Sequence, residues 1–142
     1  GFGRLISSVP LAGTLLFQIN SGNQPLTEVG VAPSPPASRF GIPVLKAPGL
    51  YDTGIALVNP TSSPVTITIT AKSSDGSTLA TATFQLTPNE HMARFSGEMV
   101  AAVNGLGEFN GSFEFVASSP VSAVALKQTG YLLTSFPVTV IQ

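Results

Sequence analysis

The stretch Val65-Thr66-Ile67-Thr68-Ile69-Thr70-Ala71 alternates apolar residues, mostly β-branched, with threonine along its whole length. A period of two places one set of side chains on each side of an extended strand, so the stretch predicts a strand with one apolar and one hydroxyl-lined face. Ser73-Ser74-Asp75-Gly76-Ser77 follows, and its Asp-Gly pair suits the positive backbone angles of a tight hairpin turn. The return strand then points Ala80, Ala82, Phe84 and Leu86 inward, with Thr81, Thr83 and Gln85 outward.

Working outward from this hairpin, further strands are expected over residues 4–8, 14–19, 54–58, 112–117, 121–128 and 132–141. The separators between them are rich in Gly, Pro, Asn and Ser, the residues that turns require. Thr87-Pro88-Asn89-Glu90 reads as a helix start, with an N-cap Thr, Pro at the first helical position and Glu three residues after the cap. That helix is expected to end near Phe95 or Ser96, with a second turn over residues 98–103 stopped by Asn104-Gly105. Many short strands with one or two short helical connections predict an all-β fold, an antiparallel β-sandwich of immunoglobulin-like type. The Cys pair and Trp of antibody domains are missing, so the likeness is one of architecture.

Composition narrows the function. The 142 residues include 6 Lys or Arg and 7 Asp or Glu, far below average usage, and the net charge is −1. Such a chain lacks the basic footprint of a nucleic-acid or anionic-membrane binder. Zero Cys and one His leave no thiolate or multi-imidazole metal centre. Mean hydropathy is +0.37, yet the apolar runs are broken by Pro, Gly or Ser well before the roughly 20 residues that a membrane-crossing helix needs. No transmembrane segment is expected, nor a signal peptide at the start, where Pro10 and Gly13 interrupt the apolar run.

Laid against itself so that Gly1 falls on Gly111, the chain also matches Ser8 with Ser118, Pro10 with Pro120 and Gln18 with Gln128. Apolar character is matched between: Leu5 with Phe115, Ile6 with Val116, Leu11 with Val121 and Leu16 with Leu126. After a small insertion in the first copy, Leu26-Thr27 falls on Leu133-Thr134. The chain thus divides into residues 1–48, a strand and hairpin segment with a Pro-rich arm, and residues 49–142, a β-sandwich. An isolated hairpin cannot bury its apolar face in water, so the first part must dock, either on its own sandwich or on a neighbouring subunit.

Asp52-Thr53-Gly54-Ile55-Ala56-Leu57-Val58-Asn59-Pro60, then His91-Met92-Ala93-Arg94-Phe95, Gly111-Ser112-Phe113 and Ala123-Val124-Ala125-Leu126-Lys127-Gln128, resemble repeat modules of large secreted bacterial surface proteins. Pro10-Leu11-Ala12-Gly13-Thr14 and Leu26-Thr27-Glu28-Val29-Gly30-Val31 are similar to the inter-module portion of that family. The resemblance covers most of the chain and implies an extracellular, non-catalytic β module, with no catalytic residue to carry over.

Candidate sites are few. His91 and Arg94 would share a face of the short helix and hydrogen-bond loop carbonyls, acting as structural anchors. The carboxylates Glu28, Asp52, Asp75, Glu90, Glu98, Glu108 and Glu114 are scattered, with neither the pairing of a glycosidase nor an acidic cluster for calcium. No catalytic residue, cofactor, metal or small-molecule substrate is expected. Gly105-Leu106-Gly107 lacks the spacing of a phosphate loop. Asn110-Gly111-Ser112 is a formal glycosylation sequon that also reads as a turn. Lys46, Lys72 and Lys127 are formal candidates for an isopeptide crosslink to an Asn, though no spacing selects a pair. Val31-Ala32-Pro33-Ser34-Pro35-Pro36-Ala37-Ser38 reads as a semi-rigid extended linker.

The expectation drawn from these features is a structural subunit of an extracellular or cell-surface filament, a homo-oligomer joined head to tail by β-strand complementation. Phe2, Leu5, Ile6, Leu11, Leu15 and Phe17 would be the inserted apolar residues, received in a groove beside the C-terminal strands. The alternative is a non-catalytic adhesion or carbohydrate- or protein-binding module of a larger surface protein. The absence of Trp and the presence of only two tyrosines, Tyr51 and Tyr131, weaken its sugar-binding form.

Overall fold

A computed structural model describes residues 2–142. In chain order the elements are β1 (Leu15–Ser21), β2 (Gln24–Val31), β3 (Ala37–Lys46), β4 (Tyr51–Val58), β5 (Val65–Ser73), β6 (Thr78–Leu86), β7 (His91–Phe95), α1 (Ser96–Met99), α2 (Ala101–Asn104), β8 (Phe109–Thr129), β9 (Leu132–Phe136) and β10 (Thr139–Val140). All ladders are antiparallel. The fold is an all-β sandwich with two short helical connections, as the alternating pattern predicts.

Strand β8 builds both layers. Its first part, up to Ala117, pairs with β3 on one side and β5 on the other. From Ser122 onward it pairs with β4 and β9. One sheet therefore runs β10-β3-β8-β5-β6 and the other β7-β4-β8-β9. The chain changes sheets across Ser118-Ser119-Pro120, where a residue without an N–H loses no ladder bond. Phe113, Phe115, Ala117, Val121, Ala123 and Ala125 stay buried through the crossing, so one face of one bent strand supplies inward residues to both sheets. Facing them are Phe40, Ile42 and Val44 of β3, Ile55 and Leu57 of β4, and Val65, Ile67 and Ile69 of β5, in one continuous core.

The hairpin β5–β6 follows the sequence closely. Val65, Ile67, Ile69 and Ala71 are buried and oppose Leu86, Phe84, Ala82 and Ala80. Gly76 takes φ 85°, and Asp75 closes the turn by accepting from the Ser77 amide at 2.9 Å and its hydroxyl at 2.7 Å.

Three expectations are corrected. Thr87–Glu90 does not start a helix: the Glu90 carboxylate accepts from the Thr87 amide at 2.6 Å and its hydroxyl at 2.8 Å, but Asn89 adopts φ 58°. The left-handed residue turns the chain, and residues 91–95 become β7, paired to β4. Residues 4–8 form no strand. Conversely, β3 is a sandwich strand inside the stretch grouped with the N-terminal segment. Its Pro43 is tolerated because Leu45, two residues on, points its own N–H and C=O away from β8, to the Thr53 hydroxyl, both at 2.9 Å. By alternation Pro43 turns the same way, and the short β10 does not reach it. Residues 2–31 are the portion that stands outside the sandwich ladders.

Candidate assembly interface

Residues 2–14 have no regular structure, and every one of them is exposed. Leu5 is 87% exposed, Ile6 82%, Leu11 62% and Leu15 60%, with Phe2 and Phe17 also open to solvent. The six apolar residues expected to be inserted elsewhere are therefore all on the surface, along one continuous stretch of chain. The β1–β2 hairpin that follows is a two-stranded sheet of its own, turning at Gly22 with φ 60° and tied across by the Gln18 and Glu28 side chains. Its β2 strand runs beside β9 without a ladder, and Val31 is the only residue of the hairpin that is buried.

The Pro-rich arm does not carry this hairpin away from the sandwich. Ser34 Oγ accepts a hydrogen bond from the Ala123 amide at 3.0 Å, fixing the arm against β8. Between the arm and β8, β9 and β10 lies an open groove of about 470 Å³, lined by Val31, Pro33, Val121, Phe136 and Val138 among others, none of them charged. This apolar groove lies beside the C-terminal strands.

The sheet edges are unguarded by charge. Outer strand β6, Thr78-Leu79-Ala80-Thr81-Ala82-Thr83-Phe84-Gln85-Leu86, holds no ionisable residue, and neither do β1 and β9. Lysines and other charges on edges are the common device against edge-to-edge pairing. Among the outer strands β2 carries Glu28, and β7 carries His91 and Arg94. These two are exposed, opposite Val58 and Ile55 of β4, and neither side chain makes a hydrogen bond among the described residues. They do not hold loop carbonyls, because the segment expected to be a helical crossover is an edge strand.

The remaining polar groups are satisfied within the fold. Lys46 is buried and donates to the Leu106 carbonyl at 3.0 Å and to that of Asn104 at 3.4 Å. Lys72 pairs with Glu114 at 2.6 Å, and Lys127 lies 5.0 Å from the centre of the Tyr51 ring. None of the three lysines meets an Asn side chain. Buried Ser96 donates to Asp52 at 2.6 Å, fixing α1 against β4. Asn110 of the sequon is an exposed residue inside β8, paired with Leu45, so the sequon lies in a central strand and not in a turn. Among the described residues no three of His, Asp and Glu come together as a metal cluster, and no helix is long and apolar enough to cross a membrane.

Sequence reasoning missed the trio Arg39, Glu114 and Lys72 on the outer face of the first sheet. Glu114 Oε1 accepts from Arg39 Nε at 2.8 Å while its Oε2 meets Lys72. No sequence spacing signals the trio, since its members come from β3, β8 and β5. Compared with protein-family models, curated proteins and solved structures, the chain finds no match.

Proposed function

We propose that this protein is a non-catalytic structural subunit of an extracellular or cell-surface assembly, joined head to tail to its neighbours by strands of its N-terminal segment. One observation carries the reading: a sandwich with one continuous core is preceded by an apolar segment, residues 2–14, that is exposed at every position and leads into the β1–β2 hairpin. Burying a Leu, Ile or Phe side chain contributes about 1.5–3 kcal/mol. Six of them contribute on the order of 10 kcal/mol, comparable with the roughly 4–15 kcal/mol that association costs. The uncharged edges of β1, β6 and β9 support the same reading, and so does the resemblance to surface-protein repeat modules.

Deleting residues 2–20 tests it, with light scattering to read size and thermal melting to read the fold. The full chain is expected to assemble at micromolar concentration, and the truncated chain to stay monomeric with an unchanged melting transition. A truncated chain that assembles as the full one does, or a full chain that stays monomeric at every concentration, overturns the proposal.

A further inference from the structure

The exposed N-terminal segment can be matched in sequence to the unit formed by β8 and β9, and the structure shows which way the matched residues of that unit face. Matched so that Pro10 falls on Pro120, Leu5, Leu11 and Leu15 occupy the positions of Phe115, Val121 and Ala125. Those three are among the six buried inward residues of β8, the other three, Phe113, Ala117 and Ala123, being met by Gly3, Ser7 and Gly13, and Phe115 and Val121 stand on either side of the point where the strand changes sheets. Ile6, one residue out of phase, occupies the position of Val116, which faces outward and is 49% exposed. Ser8 and Pro10 reproduce Ser118 and Pro120 of the crossing itself.

The turn is of the same kind, although it comes two residues later in the first copy, after the irregularity at Ile19/Asn20. In the sandwich, β8 passes to β9 through Gly130-Tyr131, with Gly130 at φ 57°; β1 passes to β2 through Gly22-Asn23, with Gly22 at φ 60°. Both are two-residue hairpin loops with a left-handed glycine first. Residues 2–31 thus carry apolar residues at three of the six inward positions, the sheet-crossing Ser and Pro, and a like hairpin of a β8–β9 unit, and among the described residues no strand pairs with residues 2–14.

We infer that residues 2–31 are the β8–β9 unit of a second sandwich, and that their partner is an open sandwich with strands equivalent to β3–β7 and none in the β8–β9 position. Leu5, Leu11 and Leu15 enter its core, whereas Ile6 and, by the same register, Phe2 face outward and Phe17 falls at the position of Lys127, outside the buried set, so that three of the six apolar residues named above supply the core burial. A second intact copy of this chain does not serve, because its own β8 already occupies the position between β3, β4 and β5. The inference rests on that part of the proposed function in which the N-terminal segment docks on a neighbour, and it replaces the intact copy expected there by an open sandwich.

The test uses the full chain and, as probe, a separate polypeptide of residues 32–107 of the same sequence, which supplies β3–β7 with α1 and α2 but neither β8 nor β9. The probe is diluted from denaturant into the folded full chain, and complexes are read by light scattering and by hydrogen exchange. A one-to-one complex is expected, with amides 4–8 and 11–19 slowed about tenfold or more. Capture is expected to be lost in Leu5→Asp/Leu11→Asp and kept in Ile6→Asp, with the melting of the full chain unchanged in both. No complex, or equal capture by the Leu5→Asp/Leu11→Asp variant, overturns the inference. The full chain run without probe separates the two proposals. Self-assembly without capture overturns this inference and leaves strand complementation standing, whereas capture without self-assembly supports this inference and overturns the homopolymer.

Discussion

Phe40 and Phe115 lie opposite each other in the β3–β8 ladder and stack with ring centres 4.8 Å apart and planes 11° from parallel. Both are fully buried, and Phe113 packs beside Phe115 at 6.3 Å. The pair joins the strand that crosses between sheets to the strand nearest the Pro-rich arm. Phe115→Ala is expected to lower unfolding free energy by about 3–5 kcal/mol, the cost of a large core cavity. Urea denaturation measures it, and the same experiment on Phe40→Ala and on the double variant is expected to give a coupling of about 1 kcal/mol between the rings. Additive losses would mean that the stacking contributes nothing beyond burial.

The contrast between β3 and β5 explains what the sequence makes legible. In β5 a clean alternation runs without a breaker, and strand, turn and inward set all follow from it. In β3 the same alternation exists in Phe40, Ile42 and Val44, but Gly41 and Pro43 interrupt it and the linker-like run 31–38 precedes it, so no strand is expected there. Only the long-range facts, Thr53 capping Leu45 and β8 lying alongside, make it a strand. The Glu90 carboxylate does bond back to Thr87, while the Glu90 amide donates to the Thr87 carbonyl and not to its hydroxyl; that the segment closes a turn and opens no helix follows from Asn89 and from the edge of β4 that residues 91–95 pair with. At the candidate interface the apolar residues were legible, whereas their exposure was not, because burial depends on which strands are near.

Glu114 supplies a pH dependence. Hydrogen bonds from Lys72 and then Arg39 hold its carboxyl below the ordinary glutamate value of 4.5. A carboxyl whose folded-state pKa is depressed stabilises the fold above the unfolded-state value and loses that contribution as pH falls through the folded-state value. Glu114→Gln is expected to cost about 1 kcal/mol at pH 7. The difference from the parent chain should shrink below about pH 4.5 and vanish once Glu114 is protonated in the folded protein. Melting temperatures of both chains across this range check it; a difference independent of pH would assign the loss to packing.

Asn59 is fully buried where β4 ends. Its amide nitrogen donates to the carbonyls of Ser63 at 2.8 Å, Thr87 at 3.0 Å and Leu86 at 3.3 Å, and its oxygen accepts from the Thr61 amide at 3.0 Å and hydroxyl at 2.8 Å. One side chain therefore ties the loop after β4 to the end of β6. Asn59→Ala leaves those carbonyls without their donor and is expected to cost about 2–4 kcal/mol, several unmet bonds at about 1 kcal/mol each or more. Asn59→Asp is expected to cost more at pH 7, since a carboxylate in this place faces three carbonyl oxygens and has no proton to offer. Chemical denaturation ranks the two, and an Asp variant as stable as the parent would show that the loop rearranges freely.

His91 and Arg94 close the series because the two readings of residues 91–95 predict opposite results. As anchors of a helical crossover, they would destabilise the fold when removed. As exposed residues of edge strand β7, paired through backbone atoms to Val58 and Ile55, they leave the ladder intact when truncated. His91→Ala and Arg94→Ala are each expected to change unfolding free energy by less than about 0.5 kcal/mol. Removing both also strips β7 of its only ionisable side chains, the feature that discourages another strand from pairing there. The double variant is therefore expected to melt as the parent does but to aggregate more readily when concentrated, read by light scattering. A melting temperature lowered by several degrees in either single variant would restore the anchoring role that the strand geometry removes.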